Sequence, residues 1–163
     1  MTVAIDSRAI AQLYLDWVRD RVRSLPEPPC LATVLARDRK DAGSIQYRDL
    51  IQRDAERLGI GSRHLEIASE EELKRVLEEL NRDPGVQGIV VLYPLGLEAK
   101  DEEVMDLVDP RKDIEGLHSI NLGYLIKYRR FLDEPGGIKC VVPATAKAVV
   151  KTLQHYPQLR IEG

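Results

Sequence analysis

The stretch Gly85-Val-Gln-Gly-Ile-Val-Val-Leu-Tyr-Pro-Leu-Gly96 decides the fold. Val86 to Tyr93 is a short apolar run rich in β-branched residues and stopped by Pro94, the pattern of a strand buried on both faces. In open α/β sheets a ligand lies just beyond the carboxyl ends of such strands. That rule directs attention to Leu92 to Leu95 and to a polar loop, Lys112 to Asn121. There Lys112, Asp113 and Glu115 set opposite charges beside a flexible Gly116. A charged loop taken alone is more often a solvated turn than a site.

Working outward, helix and strand signals alternate. Asp6 or Ser7 can cap a first helix carrying Ile10, Leu13, Trp17 and Val18 on one side, ended near Ser24 by Pro26, Pro28 and Pro29. Leu31 to Leu35 reads as a buried strand, Arg37 to Gly43 as a charged loop, and Ser44 to Leu58 as a helix with Gly59 as its stop. A short strand, His64 to Ile67, follows. Ser69 with Glu72 forms a capping box ahead of Leu73, Val76, Leu77 and Leu80 at helical spacing. Asp83-Pro84-Gly85 then turns the chain into the central strand. Beyond it come a short helix from Glu102 to Val108, a helical turn from Asn121 to Tyr128 and a turn from Asp133 to Gly137. A last strand, Lys139 to Val142, and a last helix, Thr145 to His155, complete the order. This alternation predicts an α/β domain of three layers, a mainly parallel sheet with helices on both faces and no second sheet.

Composition sets the boundaries. The 163 residues suit a single domain. Apolar residues make up 44% with one Trp and one Phe, so the core must be aliphatic. A net charge of -3, with acids and bases interspersed, offers no basic footprint for nucleic acid or a membrane surface. No apolar run reaches membrane-spanning length, and no signal-peptide pattern opens the sequence, so a cytoplasmic location is expected. Cys30 and Cys140 read as reduced core thiols. His64, His118 and His155 are scattered and supply no metal-ligand set. No Gly-x-Gly-x-x-Gly follows a strand and no phosphate loop is present; Gly59-Ile60-Gly61 follows a helix and reads as a stop signal. Nothing suggests a covalent nucleophile.

Several blocks carry a resemblance. Pro-Cys-Leu-Ala-Thr-Val-Leu at 29–35, Tyr47 in the helix ending Leu-Gly-Ile, Gly-Ile-Val-Val-Leu-Tyr-Pro-Leu at 88–95, Pro-Arg-Lys-Asp-Ile-Glu-Gly-Leu-His-Ser-Ile-Asn-Leu-Gly at 110–123 and Val-Pro-Ala-Thr-Ala-Lys at 142–147 fall in order. Together they resemble the N-terminal, folate-binding domain of bifunctional methylenetetrahydrofolate dehydrogenase/cyclohydrolases across essentially the whole chain. The resemblance implies a tetrahydrofolate derivative as ligand and NADP bound by a Rossmann domain expected after Gly163. It also admits a homodimer. In that family a hydride leaves the methylene bridge for NADP, and water then opens the methenyl cation. A lysine four residues after the tyrosine moves protons for the hydrolysis, a glutamine orients that lysine, and an aspartate hydrogen-bonds the pterin edge.

Here the matched positions differ. Ile51 stands at the lysine position, Leu92 at the glutamine position, Glu115 at the aspartate position and Ala144 in place of a cysteine; Lys147 is kept. Arg48 lies about 100° round the helix from Tyr47, and Arg53 cannot give up its proton at working pH, so neither substitutes for the lysine. The resemblance thus implies a substrate-binding set of Tyr47, Ile51, Leu92, Pro94 and Glu115 with no intact catalytic residue, and a cyclohydrolase activity that is absent or very weak. Hydride transfer needs positioning more than proton transfer, so it is less exposed to this loss. Two alternatives stay open: a non-catalytic relative that acts as a folate-binding or assembly module, and an enzyme on a less polar substrate in the same cleft. The chain alone is expected not to turn over NADP.

Overall fold

The computed structural model describes residues 4–37, 42–98 and 100–159. Its centre is a parallel sheet of three strands in the order β2-β1-β3: β1 (Cys30–Ala36), β2 (Gly61–Ile67) and β3 (Gly88–Val91). Leu31 to Val34 pair with Gly88 to Val91, and Cys30 to Ala36 with Gly61 to Ile67. A parallel bridge from Ile89 to Asp113 extends this edge into the polar loop.

Because side chains alternate across a strand, each strand serves two cores. Ala32, Val34, Ala36, Ile89 and Val91 face one layer, joined by Leu73, Val76, Leu77 and Leu80 of α3 (Glu70–Arg82) and by Val104 and Val108. Leu35, Val90 and Leu92 face the other, where Leu31 and Ile51 pack beside them. Ile51 belongs to α2 (Ala42–Leu58), so helices do cover both faces. The α3 apolar positions are all buried. Its box forms with one shift: Glu72 N donates to Ser69 Oγ at 3.2 Å, but the Glu72 carboxylate accepts from Ala68 N at 2.8 Å, one residue before the cap.

The first helix, α1 (Ser7–Arg23), is capped by Asp6, which accepts from Ala9 N. Its covered face is the expected one only at Ile10 and Val18. Ile10 is buried and Leu15, Val18 and Val22 are half-buried, whereas Leu13 and Trp17 are 59% and 62% exposed. The helix offers two apolar stripes, and α1 packs on α2, which covers the stripe 15-18-22. Gly59 ends α2 at φ 76°. Of the charged loop from Arg37 to Gly43, 38–41 lie outside the described residues, and Ala42 and Gly43 already belong to α2.

Further corrections concern ends and the C-terminal third. β2 begins three residues earlier than read, and β3 is shorter, ending at Val91. The next helices are α4 (Asp101–Met105) and α5 (Ser119–Ile126), the latter starting and ending two residues earlier than read. Instead of a last strand in the main sheet, Phe131–Asp133 (β4) and Ile138–Lys139 (β5) make an antiparallel hairpin, a second small sheet. The turn read at 133–137 is its loop, short enough to pair its two arms with each other. Val141 and Val142 are not strand, and α6 (Ala144–Gln154) closes the order. Both cysteines are free and half-exposed, not core thiols: each stands at the rim of a sheet or hairpin, not on an inward face.

Candidate functional site

The carboxyl end of β3 and the loop after α4 meet as the strand rule requires. Leu92 N donates to Val34 O at 2.9 Å, holding the strand end in the sheet after the ladder stops. Ser44 Oγ near the start of α2 donates to Tyr93 O at 3.4 Å, and Leu95 N donates to Asp101 Oδ1 at 3.3 Å. The Tyr93-Pro94 bond is cis, and Pro94 is exposed.

Of the expected site residues, Ile51 and Leu92 are brought together in one apolar cluster with Leu35 and Val90. Leu92 is 3% exposed. Tyr47 sits one helical turn before Ile51, on the same side of α2, and half of it is open to solvent. Arg48 turns away toward β2, pairing with Glu66 at 3.6 Å and Asp49 at 2.9 Å, and Arg53 Nε donates to Asp49 O at 3.2 Å. Ala144 and Lys147 lie exposed in the first turn of α6.

Glu115 is half-buried in the loop. Burial first, and the neighbouring Asp113 carboxylate second, push its carboxyl above the usual carboxylate range. The Tyr93 hydroxyl is pushed up in the same way, by burial and then by the carboxylates of Glu115, Asp101 and Asp113. Glu115 and Tyr93 therefore share one poorly solvated, acidic corner at the end of β3.

Two charges that looked like site residues are structural. Lys112 Nζ donates to Leu80 O at 2.7 Å and Asp83 O at 2.6 Å, satisfying carbonyls at the end of α3. Asp113 is 5% exposed and accepts from Gly116 N, His118 N and Asn121 Nδ2, each at 2.9 Å. The loop is thus held from within by the Asp113 carboxylate, although Ile114 at its tip stays 41% exposed. Among the described residues, no cluster of His, Cys, Asp or Glu is placed to hold a metal ion.

Comparison with known proteins gives the setting for this corner. Residues 5–115 match the family described as tetrahydrofolate dehydrogenase/cyclohydrolase, catalytic domain. The bifunctional protein FolD of Clostridium perfringens is 32% identical over 165 residues, an alignment covering 99% of this chain and 54% of that protein. The chain belongs to the tetrahydrofolate dehydrogenase/cyclohydrolase family. Its fold is that of a 5,10-methylenetetrahydrofolate dehydrogenase from Bombyx mori, with TM-score 0.83 and 28% identity over 96% of this chain and 52% of that one. It is equally that of a Trypanosoma brucei dehydrogenase-cyclohydrolase complexed with NADP cofactor and inhibitor, with TM-score 0.81 and 28% identity over 99% and 54%. The chain spans about half the length of the relatives it matches.

Within this tetrahydrofolate dehydrogenase/cyclohydrolase domain, sequence reasoning missed the importance of Tyr93 and Asn121. Tyr93 was visible only as the last residue of an apolar run before a proline. Asn121 had a fainter signal, a primary amide where the polar loop gives way to the helical turn read at 121–128. Its complete burial, at 0% exposure, emerges only in three dimensions.

Proposed function

We propose that this chain is the folate-binding domain of a methylenetetrahydrofolate dehydrogenase in which the proton-moving couple of the hydrolytic reaction has been replaced by packing. The observation that carries this is the cluster of Ile51 with Leu92, Leu35 and Val90. Neither Ile nor Leu can carry a proton, and each gains about 1.5–3 kcal/mol from leaving water, so the pair favours a closed apolar wall. Loss of a general acid–base group typically lowers a rate by about 10²–10⁴. Dehydrogenation asks the domain chiefly to hold the folate still. In this reading Tyr47 stacks on the pterin, Leu92 and Pro94 wall the pocket, and Glu115 hydrogen-bonds the pterin edge from its half-buried position.

NADP, when bound, accepts the hydride. The turns that follow β2 and β3 carry no Gly-x-Gly-x-x-Gly and so do not fit a pyrophosphate. We therefore assign none of the described residues to that cofactor. The test uses the chain as it is: 5,10-methenyltetrahydrofolate should bind, while its hydrolysis stays at the uncatalysed rate. Ile51→Lys with Leu92→Gln should then raise hydrolysis toward the range set by acid–base catalysis. Rapid hydrolysis by the unaltered chain, or no gain in the double variant, would overturn the reading. The same closed wall also fits a non-catalytic relative used for assembly, and a folded chain that takes up no reduced folate would favour it.

A further inference from the structure

The loop that presents Glu115 is closed from three directions, and one side chain joins them. Its start is fixed to the sheet, where Ile89 N donates to Lys112 O at 2.8 Å and Asp113 bridges to Ile89. Its apex is tied by Gly116 N donating to Asp113 Oδ1, which leaves Ile114 and Glu115 as the two inner residues of a turn. Its far side rests on the segment before α6. There Ala144 N donates to Glu115 O at 3.1 Å. Gly116, at φ 72°, comes so near that an added Cβ would lie 2.6 Å from the Val142 carbonyl carbon.

Asn121 connects all three. Its Nδ2 donates to Pro110 O and to Asp113 Oδ2, both at 2.9 Å, and its Oδ1 accepts from Val141 N at 3.1 Å. Each polar atom of this fully buried amide has a partner, and each partner lies on a different part of the loop or of the segment packed on it. A buried network of this kind has one low-energy arrangement, because any rearrangement strands a donor or acceptor away from water.

Resting on the folate reading above, we infer that Asn121 and Asp113 are positioning residues for ligand recognition, acting through Glu115 and not by touching the ligand. Asn121 fixes the separation between the 110–116 loop and residues 141–144, and thereby the direction in which Glu115 leaves the turn. Neither side chain is accessible to a ligand, so their influence on binding passes through the residue they hold.

A thermodynamic cycle on tetrahydrofolate binding tests this. Asn121→Asp sets a second carboxylate against Asp113 Oδ2 and opens the turn. Its affinity for tetrahydrofolate should fall about tenfold, the value of one charge-assisted hydrogen bond at the ligand. In a Glu115→Gln background the same substitution should change affinity by less than about twofold, because the contact it acts through is already altered. Equal factors in the two backgrounds would overturn the positioning role and leave the folate reading intact. No uptake by a folded, unaltered chain would overturn both. Should Asn121→Asp fail to fold by circular dichroism, Asp113→Asn takes its place in the same cycle, with the same two outcomes.

Discussion

Asp113 shows how much one carboxylate can organise. It is buried and accepts three hydrogen bonds, two of them from the backbone amides of Gly116 and His118. Asp113→Ala strands those donors, and the expected cost is about 3 kcal/mol, read as a lower midpoint in urea unfolding. Glu115 behaves in the opposite sense. Its folded-state pKa lies above its unfolded value, so between the two the folded chain holds more protons. Its protonated form is the better tolerated one, and stability declines as pH rises from the unfolded value through the folded one. Glu115→Gln should therefore be more stable than the unaltered chain at neutral pH, and the difference should vanish on acidification. Thermal unfolding at several pH values measures this. The Asp113 carboxylate faces Glu115 and is present in both proteins, but its repulsion acts only on an ionised Glu115, so relief of that repulsion is part of the difference measured.

At the scale of elements, α3 rests on an end that is capped and a face that is covered. Ser69→Ala removes the cap and should cost about 1 kcal/mol. Leu77, 1% exposed at the centre of the larger core, should cost about 3 kcal/mol when cut to Ala. Both are measured by urea unfolding, and the ranking matters more than either value. α1 provides the contrast. Leu13→Ser and Trp17→Ser remove apolar side chains that are mostly in water and should each shift stability by no more than about 0.5 kcal/mol. A helical wheel would rank these two positions with Ile10, and only their exposure separates them.

For the molecule as a whole, the parallel sheet divides the interior into two unequal cores, and the candidate site belongs to the smaller. Leu92 and Ile51 pack there with Leu35 and Val90, holding α2 on the sheet. Returning polar groups to these places therefore has a cost in stability. Leu92→Gln buries an amide without a partner and should lower stability by about 2 kcal/mol. Ile51→Lys should cost less, since a half-buried lysine can extend its amine to water along an apolar stem. If the Ile51→Lys, Leu92→Gln pair recovers hydrolysis while unfolding at lower urea, the closed wall is a stabilising feature that displaced a functional one.

The parts of this protein legible in its sequence are those governed by local chemistry. Ser69, Glu72 and the 73-76-77-80 stripe specify α3 because caps and helical periodicity act within a few residues. The apolar run at 88–91 specifies a strand covered on both faces, but the order β2-β1-β3 puts it at the edge of the sheet, where Asp113 bridges to it, and gives the central place to β1. The differences at Ile51, Leu92 and Glu115 were visible for the same reason, being identities and not arrangements. What tertiary structure alone decided concerns partners distant along the chain. Which stripe of α1 is covered depends on α2. Phe131–Asp133 and Ile138–Lys139 pair with each other across a short turn and not with the parallel sheet. Lys112 and Asp113 turn out to hold the fold because Leu80, Asp83 and Asn121, far off in sequence or on another element, supply the groups that satisfy them. Charge is written in the chain, but whether a charge faces solvent, a ligand or a buried amide is settled by packing.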